Sequence, residues 1–269
     1  MHKHTKIVAT ISDKRCEVPF LKELYEAGMN VVRLNSAHLD EKGFMSIINN
    51  VREVSDEIAI LVDTKGPEIR TTFAEGDIEL KTGEEIKLVG NPDGISTRET
   101  VYISYPGIAN EMNVGDDILI DDGEIDLNVI EVNKEYLICK VMNDGVIGSR
   151  KSVNIPGVRI NLPAITERDK EFIELSVNNG VDFIAHSFVR NGEDVIAVQK
   201  ILDSLKSPIK IIAKIENQEG VDNADEILEQ AYGIMIARGD LGIEVAQEKI
   251  PGIQRILIKK AIQYKKPVI

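Results

Sequence analysis

The chain has no tryptophan, and aromatic residues make up only 4% of its 269 positions. An interior built on ring-to-ring contacts is therefore excluded, and Ile, Val, Leu and Ala must fill it, as they do between the closely packed faces of parallel strands. Cysteine is nearly absent. Cys16 and Cys139 allow at most one disulfide and match no metal-ligand spacing, which suits a reducing compartment. No uninterrupted apolar run approaches the ~18 residues of a membrane span, and no charged-then-apolar leader opens the chain. We expect a cytoplasmic protein with no membrane partner. Positive charge is also in deficit. The net charge of −13 repels nucleic acid, so any bound phosphate needs a local cluster of Lys, Arg or metal.

What is present is a repeated short apolar run. Lys6-Ile7-Val8-Ala9-Thr10-Ile11, Asn30-Val31-Val32-Arg33-Leu34 and Ala59-Ile60-Leu61-Val62-Asp63 each read as a buried strand. Between them, residues 19–28 form an amphipathic pattern with Pro near its start and Gly as its stop, and residues 44–54 have apolar positions near helical spacing. This is the βαβ rhythm of a parallel sheet. It breaks after Arg70 and resumes near Thr166. In between, turn signals such as Asn91-Pro92-Asp93-Gly94, Tyr105-Pro106-Gly107 and Asp121-Asp122-Gly123 separate strand-like segments, which predicts an inserted all-β domain. Thr166-Glu167-Arg168-Asp169 then reads as a helix cap. Strands return at 181–185, 209–215 and 232–237, with helices at 191–205 and 220–230 between them, a helix at 254–264 and a seventh strand starting at Lys266.

The expected fold is α/β: a TIM-type (β/α)8 barrel, incomplete at its C-terminal end, with an inserted β-barrel domain. The expected division is 1–70 for the first part of the barrel, 71–159 for the insert and 160–269 for the second part. Because a chain ending inside an apolar strand leaves an unpaired edge, we expect a fragment of a longer protein.

In a parallel barrel the active site gathers at the C-terminal ends of the strands. The polar residues there are Arg33 and Asn35, then Asp63, Thr64 and Lys65, then Ser187, then Lys214 and Glu216, then Arg238 and Asp240. Lys214 and Glu216 are two apart and share one face of their strand. Two hard carboxylates, Glu216 and Asp240, suit Mg2+ or Mn2+. Lys214 beside them suits a phosphoryl group in transfer, and equally a plain strand-end salt bridge with Glu216. Arg238-Gly239-Asp240-Leu241-Gly242 reads as a tight glycine-containing turn whose N–H groups could hold an anion. Arg33 suits phosphate through its forked guanidinium.

Taken together, the motifs resemble one family. Lys6 to Ile11, Val32-Arg33-Leu34-Asn35, Asp63-Thr64-Lys65-Gly66-Pro67-Glu68-Ile69-Arg70, Asn154-Ile155-Pro156-Gly157, Leu162-Pro163, Ser187-Phe188-Val189-Arg190, Ile212-Ala213-Lys214-Ile215-Glu216-Asn217 and Ala237-Arg238-Gly239-Asp240-Leu241-Gly242 occur in the order found in pyruvate kinases. The resemblance covers essentially the whole chain. It implies transfer of a phosphoryl group from phosphoenolpyruvate to ADP, giving ATP and pyruvate. Glu216 and Asp240 would bind Mg2+ or Mn2+. Lys214 and Arg33 would be catalytic, with Ser187 and the N–H groups of Gly239 and Asp240 also on the substrate. His38, Arg70 and Lys151 would face the nucleotide, and the β domain would act as a lid. A potassium site would use Asn35, Asp63 and Thr64. Here Asn35-Ser36-Ala37-His38 departs from the usual Asn-Phe-Ser-His, so Ala37 removes one side-chain oxygen, whereas Glu68 is the residue of potassium-dependent members. The resemblance also implies a homotetrameric parent with a further C-terminal domain. Competing readings are a magnesium-dependent pyruvate lyase or aldolase on a similar barrel, and a truncated barrel acting as a binding module without catalysis.

Overall fold

A computed structural model of the chain describes residues 4–269. The chain opens with strand β1 (Val8–Thr10), helix α1 (Val18–Glu26), β2 (Val31–Asn35), α2 (Glu41–Val54) and β3 (Ala59–Asp63). In α2 the buried residues Phe44, Ile47, Ile48 and Val51 repeat at i, i+3, i+4 and i+7, so one stripe packs on the sheet. Asp40 starts that helix by accepting the Gly43 N–H at 2.7 Å.

The chain then leaves for a second sheet. Strands β4 (Ile69–Arg70), β5 (Ile78–Leu80), β6 (Glu85–Gly90) and β7 (Thr100–Ile103) precede the short helix α3 (Ile108–Glu111). Next come β8 (Asp117–Ile120), β9 (Ile125–Val132), β10 (Leu137–Val141), β11 (Gly145–Ile147) and β12 (Ser152–Asn154). Seven of these run in the order β4-β12-β8-β9-β10-β6-β7. Thr71, just after β4, bridges to Ile103 in β7, so the two ends of the sheet meet and it closes into a barrel. Closure leaves no long free edge. The interior is mostly aliphatic, with Leu88, Val101, Ile118, Leu127, Val129 and Leu137 wholly buried.

The chain returns through α4 (Glu167–Asn178), β13 (Phe183–His186), α5 (Gly192–Ser204), β14 (Lys210–Ile215), α6 (Gln218–Asp222), α7 (Ala224–Gln230), β15 (Gly233–Ile236), α8 (Arg238–Glu244) and α9 (Ile250–Gln263). The first sheet runs β1-β2-β3-β13-β14-β15, all parallel, and Val268 adds a parallel bridge to Ile234. Each strand lies beside the next barrel strand in sequence, even β3 and β13 on either side of the insertion. That single direction of winding is what a (β/α)8 barrel requires. Gly233 permits the last pairing: a Cβ there would meet the Pro267 carbonyl oxygen at 2.6 Å.

Two expectations are corrected. The helix expected over 220–230 is two helices broken at Asn223, whose side chain turns away to the Arg190 carbonyl at 2.9 Å. The segment Arg238-Gly239-Asp240-Leu241-Gly242 is not a turn but most of helix α8. The glycine-rich composition suggested a turn, but the Leu241 N–H donates to the Ala237 carbonyl and the Val245 N–H to the Leu241 carbonyl, both at 2.9 Å, with Leu241 wholly buried.

Candidate active site

Strand alternation builds the site. Leu61, Ala185, Ile212 and Met235 plug the barrel interior, with Val31 and Phe183 packed against them. Two residues further along the same strands, and so on the same inward face, stand Arg33, Asp63, Ser187 and Lys214. The apolar plug fixes the depth at which the polar layer begins.

Asp63, Ser187, Lys214 and Glu216 are almost wholly buried. Lys214 Nζ donates to Glu216 Oε1 at 2.7 Å, Ser187 Oγ at 2.8 Å and Asp63 Oδ1 at 3.0 Å. All three ammonium donors are thereby used. Ser187 Oγ donates in turn to the Thr64 carbonyl at 2.6 Å. Arg33 ion-pairs with Asp63, its Nε donating to Oδ2 at 2.7 Å, and its Nη1 reaches Thr10 Oγ1 at 3.0 Å. Thr64 Oγ1 accepts the Ser187 N–H at 3.0 Å. Glu216 Oε2 accepts the Phe188 N–H at 2.6 Å.

The charges are not equivalent. Burial pushes the Glu216 carboxyl up to about 7; Lys214 opposes the shift, and the like charge of Asp240 adds to it. Burial works against the charge on Lys214 too, yet Glu216 and Asp63 together raise its pKa above the ordinary value. Lys214 is thus the firmly charged member, since it faces two carboxylates whereas Glu216 faces one ammonium and one like charge. Asp240 is exposed on the first turn of α8, and among the described residues no protein donor binds its carboxylate. The first intrahelical bond of α8 runs from Leu241 N–H to the Ala237 carbonyl, so the N–H groups of Gly239 and Asp240 have no acceptor within the helix.

Beside this layer a cavity of about 380 Å3 opens between the barrel and the β domain, large enough for a small ligand. Its wall includes Glu68, Asn154, Arg159, Arg190, Asp240 and Glu244. Burial pushes the Glu244 carboxyl up to about 7, with the Gln218 N–H opposing and Glu219 adding to the shift.

Eighty-eight curated proteins and 318 solved chains are similar to the sequence or the fold. The barrel-domain model of pyruvate kinase matches residues 2–269. This chain belongs to the pyruvate kinase family. It is 47% identical over 268 residues to a pyruvate kinase of Borreliella burgdorferi, covering 99% of this chain and 56% of that one. A Geobacillus stearothermophilus pyruvate kinase is 47% identical over 277 residues, covering 100% and 47%. The crystal structure of a pyruvate kinase from Cryptosporidium parvum superposes with a TM-score of 0.94 at 38% identity, over 98% of this chain and 56% of that one. The chain therefore spans about half the length of the pyruvate kinases it matches.

Of the residues singled out in the sequence, Arg33, Asp63, Thr64, Ser187, Lys214 and Glu216 come together directly, with Asp240 above them. Asn35 lies opposite Asp63 in register, its Oδ1 capping the Ala37 N–H at 3.1 Å. His38 is exposed at the end of the short 3-10 turn after β2. Arg70 is ion-paired with Glu68 at 2.6 Å and donates to the Arg150 carbonyl, and Lys151 is ion-paired with Asp121 at 2.6 Å. None of these three lines the cavity. Sequence reasoning missed Arg159, Arg190 and Glu244 as wall residues. Arg190 closes the Ser187-Phe188-Val189-Arg190 motif and Glu244 lies one helical turn beyond Asp240 on the same helix face, while Arg159 left no signal.

Proposed function

We propose that this chain carries the phosphoryl-transfer centre of a pyruvate kinase, which moves the phosphoryl group of phosphoenolpyruvate to ADP and yields pyruvate and ATP. The observation that carries the reading is the buried Asp63, Ser187, Lys214 and Glu216 layer below Asp240, in a chain of this family. The barrel, expected over 1–70 and 160–269, ends two residues earlier, because β4 (Ile69–Arg70) pairs with β12 in the β-domain sheet; the insert acts as a lid that keeps water from competing as acceptor.

Glu216 and Asp240 fit Mg2+ or Mn2+. Both are hard oxygen donors, and the like charge of Asp240 helps raise the Glu216 pKa, a cost that a cation between them would offset. Among the described residues no group of three or more His, Cys, Asp or Glu could hold a metal, so substrate and water would complete the coordination. The ion supplies polarisation of the phosphoryl oxygens and neutralisation of their charge.

The remaining work falls to the chain. Lys214 keeps its proton, so it acts as a fixed positive charge for the phosphoryl group and the developing enolate rather than as an acid. Ser187 aims that ammonium by accepting from it. Arg33, partly open to solvent, exchanges part of its bond to Asp63 for the substrate phosphate. The N–H groups of Gly239 and Asp240 receive the carboxylate. As the bond from phosphorus to the enol oxygen breaks, a terminal phosphate oxygen of ADP forms the new one; the enolate then takes a proton at carbon.

Asn35, Asp63 and Thr64 would hold potassium, with Ala37 contributing no side-chain oxygen. His38, Arg70 and Lys151 would approach the nucleotide, which requires Arg70 and Lys151 to exchange Glu68 and Asp121 for phosphate. A coupled assay on the intact protein decides the reading. Pyruvate released from phosphoenolpyruvate only with ADP present supports it; release without ADP supports a lyase, and no release a binding module.

A further inference from the structure

Three pieces of chain meet at the first turn of α4: the segment leaving β3 for the β domain, the segment returning from β12, and the turn after β2. Asp169, wholly buried, divides its two oxygens between the first two. Oδ1 accepts the Lys65 N–H at 2.9 Å and the Gly66 N–H at 3.3 Å. Oδ2 accepts the Thr166 N–H at 3.0 Å and the Thr166 hydroxyl at 2.6 Å. One residue earlier, Arg168 Nη2 donates to the carbonyls of Ser36 at 2.9 Å and Leu39 at 2.7 Å.

A helix cap accounts for only part of this. The Thr166 N–H bond is half of a capping box, completed by the Asp169 N–H donating to Thr166 Oγ1 at 3.1 Å, and would form at the start of an isolated helix. The pair at Lys65 and Gly66 lies more than a hundred residues away in sequence and adds nothing to the helix. It holds the two residues that directly follow Asp63 and Thr64. Gly66 is seated tightly there, with a φ of +72°, and a Cβ would come within 2.9 Å of the Phe188 ring and 3.0 Å of Ser187 Cβ. A buried carboxylate with four donors is a stiff junction, because releasing any donor leaves it unpaired away from water.

We propose that Asp169 and Arg168 are positioning residues that couple the returning segment of the β domain to the strand ends bearing Asn35, Asp63 and Thr64. Displacement of the chain entering Thr166 is passed through Asp169 to the β3 end, and through Arg168 to the turn after β2. What those strand ends do rests on the function proposed above; the coupling itself does not.

Amide hydrogen exchange of the intact protein, beside kcat and KM, tests this. Asp169→Asn keeps the shape but offers one acceptor oxygen, which cannot serve both pairs. Exchange at Lys65 and Gly66 should quicken at least about tenfold, and kcat should fall about tenfold. Thr166→Ala loses the cap and lowers the melting temperature, while both amides stay protected and kcat is unchanged. Arg168→Ala, at a more exposed side chain, should raise KM for phosphoenolpyruvate about threefold with the melting temperature within a few degrees. Unchanged protection at Lys65 and Gly66 in Asp169→Asn overturns the coupling, as does activity loss in all three variants in simple proportion to lost stability. Should Asp169→Asn not fold, an unaltered KM in Arg168→Ala overturns it. The exchange measurement is independent of any assay, so it separates failure of the coupling from failure of the proposed activity.

Discussion

The two barrels of this chain share an aliphatic core but differ in the polar side chains they bury. In the β domain the buried polar residues are Thr71, Thr72 and Ser96, none of them charged, around an aliphatic centre. The parallel barrel buries Asp63, Asp169, Asp194, Lys214 and Glu216, together with His186. Taking charges out of water costs several kcal/mol each unless they are paired and hydrogen-bonded, so a stable domain without chemistry to perform avoids them. The β domain buries no whole charged side chain, whereas the parallel barrel buries Asp63, Lys214 and Glu216 at its strand ends and Asp169 and Asp194 in the first turns of α4 and α5. On the function proposed above, the charges at the strand ends are the ones held ready for a substrate.

That contrast can be broken hardest at Lys214. Lys214→Met in the intact protein should lower kcat by about 1,000-fold, roughly 4 kcal/mol of transition-state stabilisation, while divalent-ion binding measured by calorimetry survives. Near-normal turnover would leave the buried charges with a structural role only. In the β domain the matching change is Leu127→Ala, at a wholly buried position. It should cost about 3 kcal/mol of that domain's stability by denaturant titration and leave divalent-ion affinity unchanged. A large loss of ion affinity would show that the two regions are not energetically separate.

Proton uptake sharpens the contrast further. Glu216, at about 7 in the folded chain, lies above the ordinary 4.5, so the folded state holds its proton more tightly. Its contribution to stability therefore falls as pH rises from about 4.5 to about 7, the reverse of a salt-bridged carboxylate with lowered pKa. At the metal site proposed above, a divalent ion would have to displace that proton. Its affinity should drop about tenfold for each unit of pH below 7, with proton release seen by calorimetry in buffers of different ionisation enthalpy. A flat pH profile would place the ion elsewhere.

Much of this was legible in residues alone, for a definite reason. Strand periodicity of two ties the apolar plug to the polar strand ends, so Lys214 and Glu216 could be placed on one face without coordinates. The capping box at Thr166 was visible because it is local. Helix α8 was not. Its glycines argue for a turn, and only the helical hydrogen bonds from Leu241 and Val245 show it to be helix. Arg159 and Arg190 were missed as cavity residues because the wall they complete combines residues far apart in the chain.

The sequence by itself determined the family, the alternation of strands and helices, the position of the inserted β domain and the identity of the ionic residues, since these depend on local periodicity and motif order. Only the tertiary structure decided how the charges divide. That Lys214 serves three partners at once, that Glu216 is drawn towards its neutral form while Lys214 stays charged, and that Asp169 ties α4 to the β3 end all follow from burial and distance between segments remote in sequence. Coulomb interactions and desolvation act through space, and folding is what sets those distances.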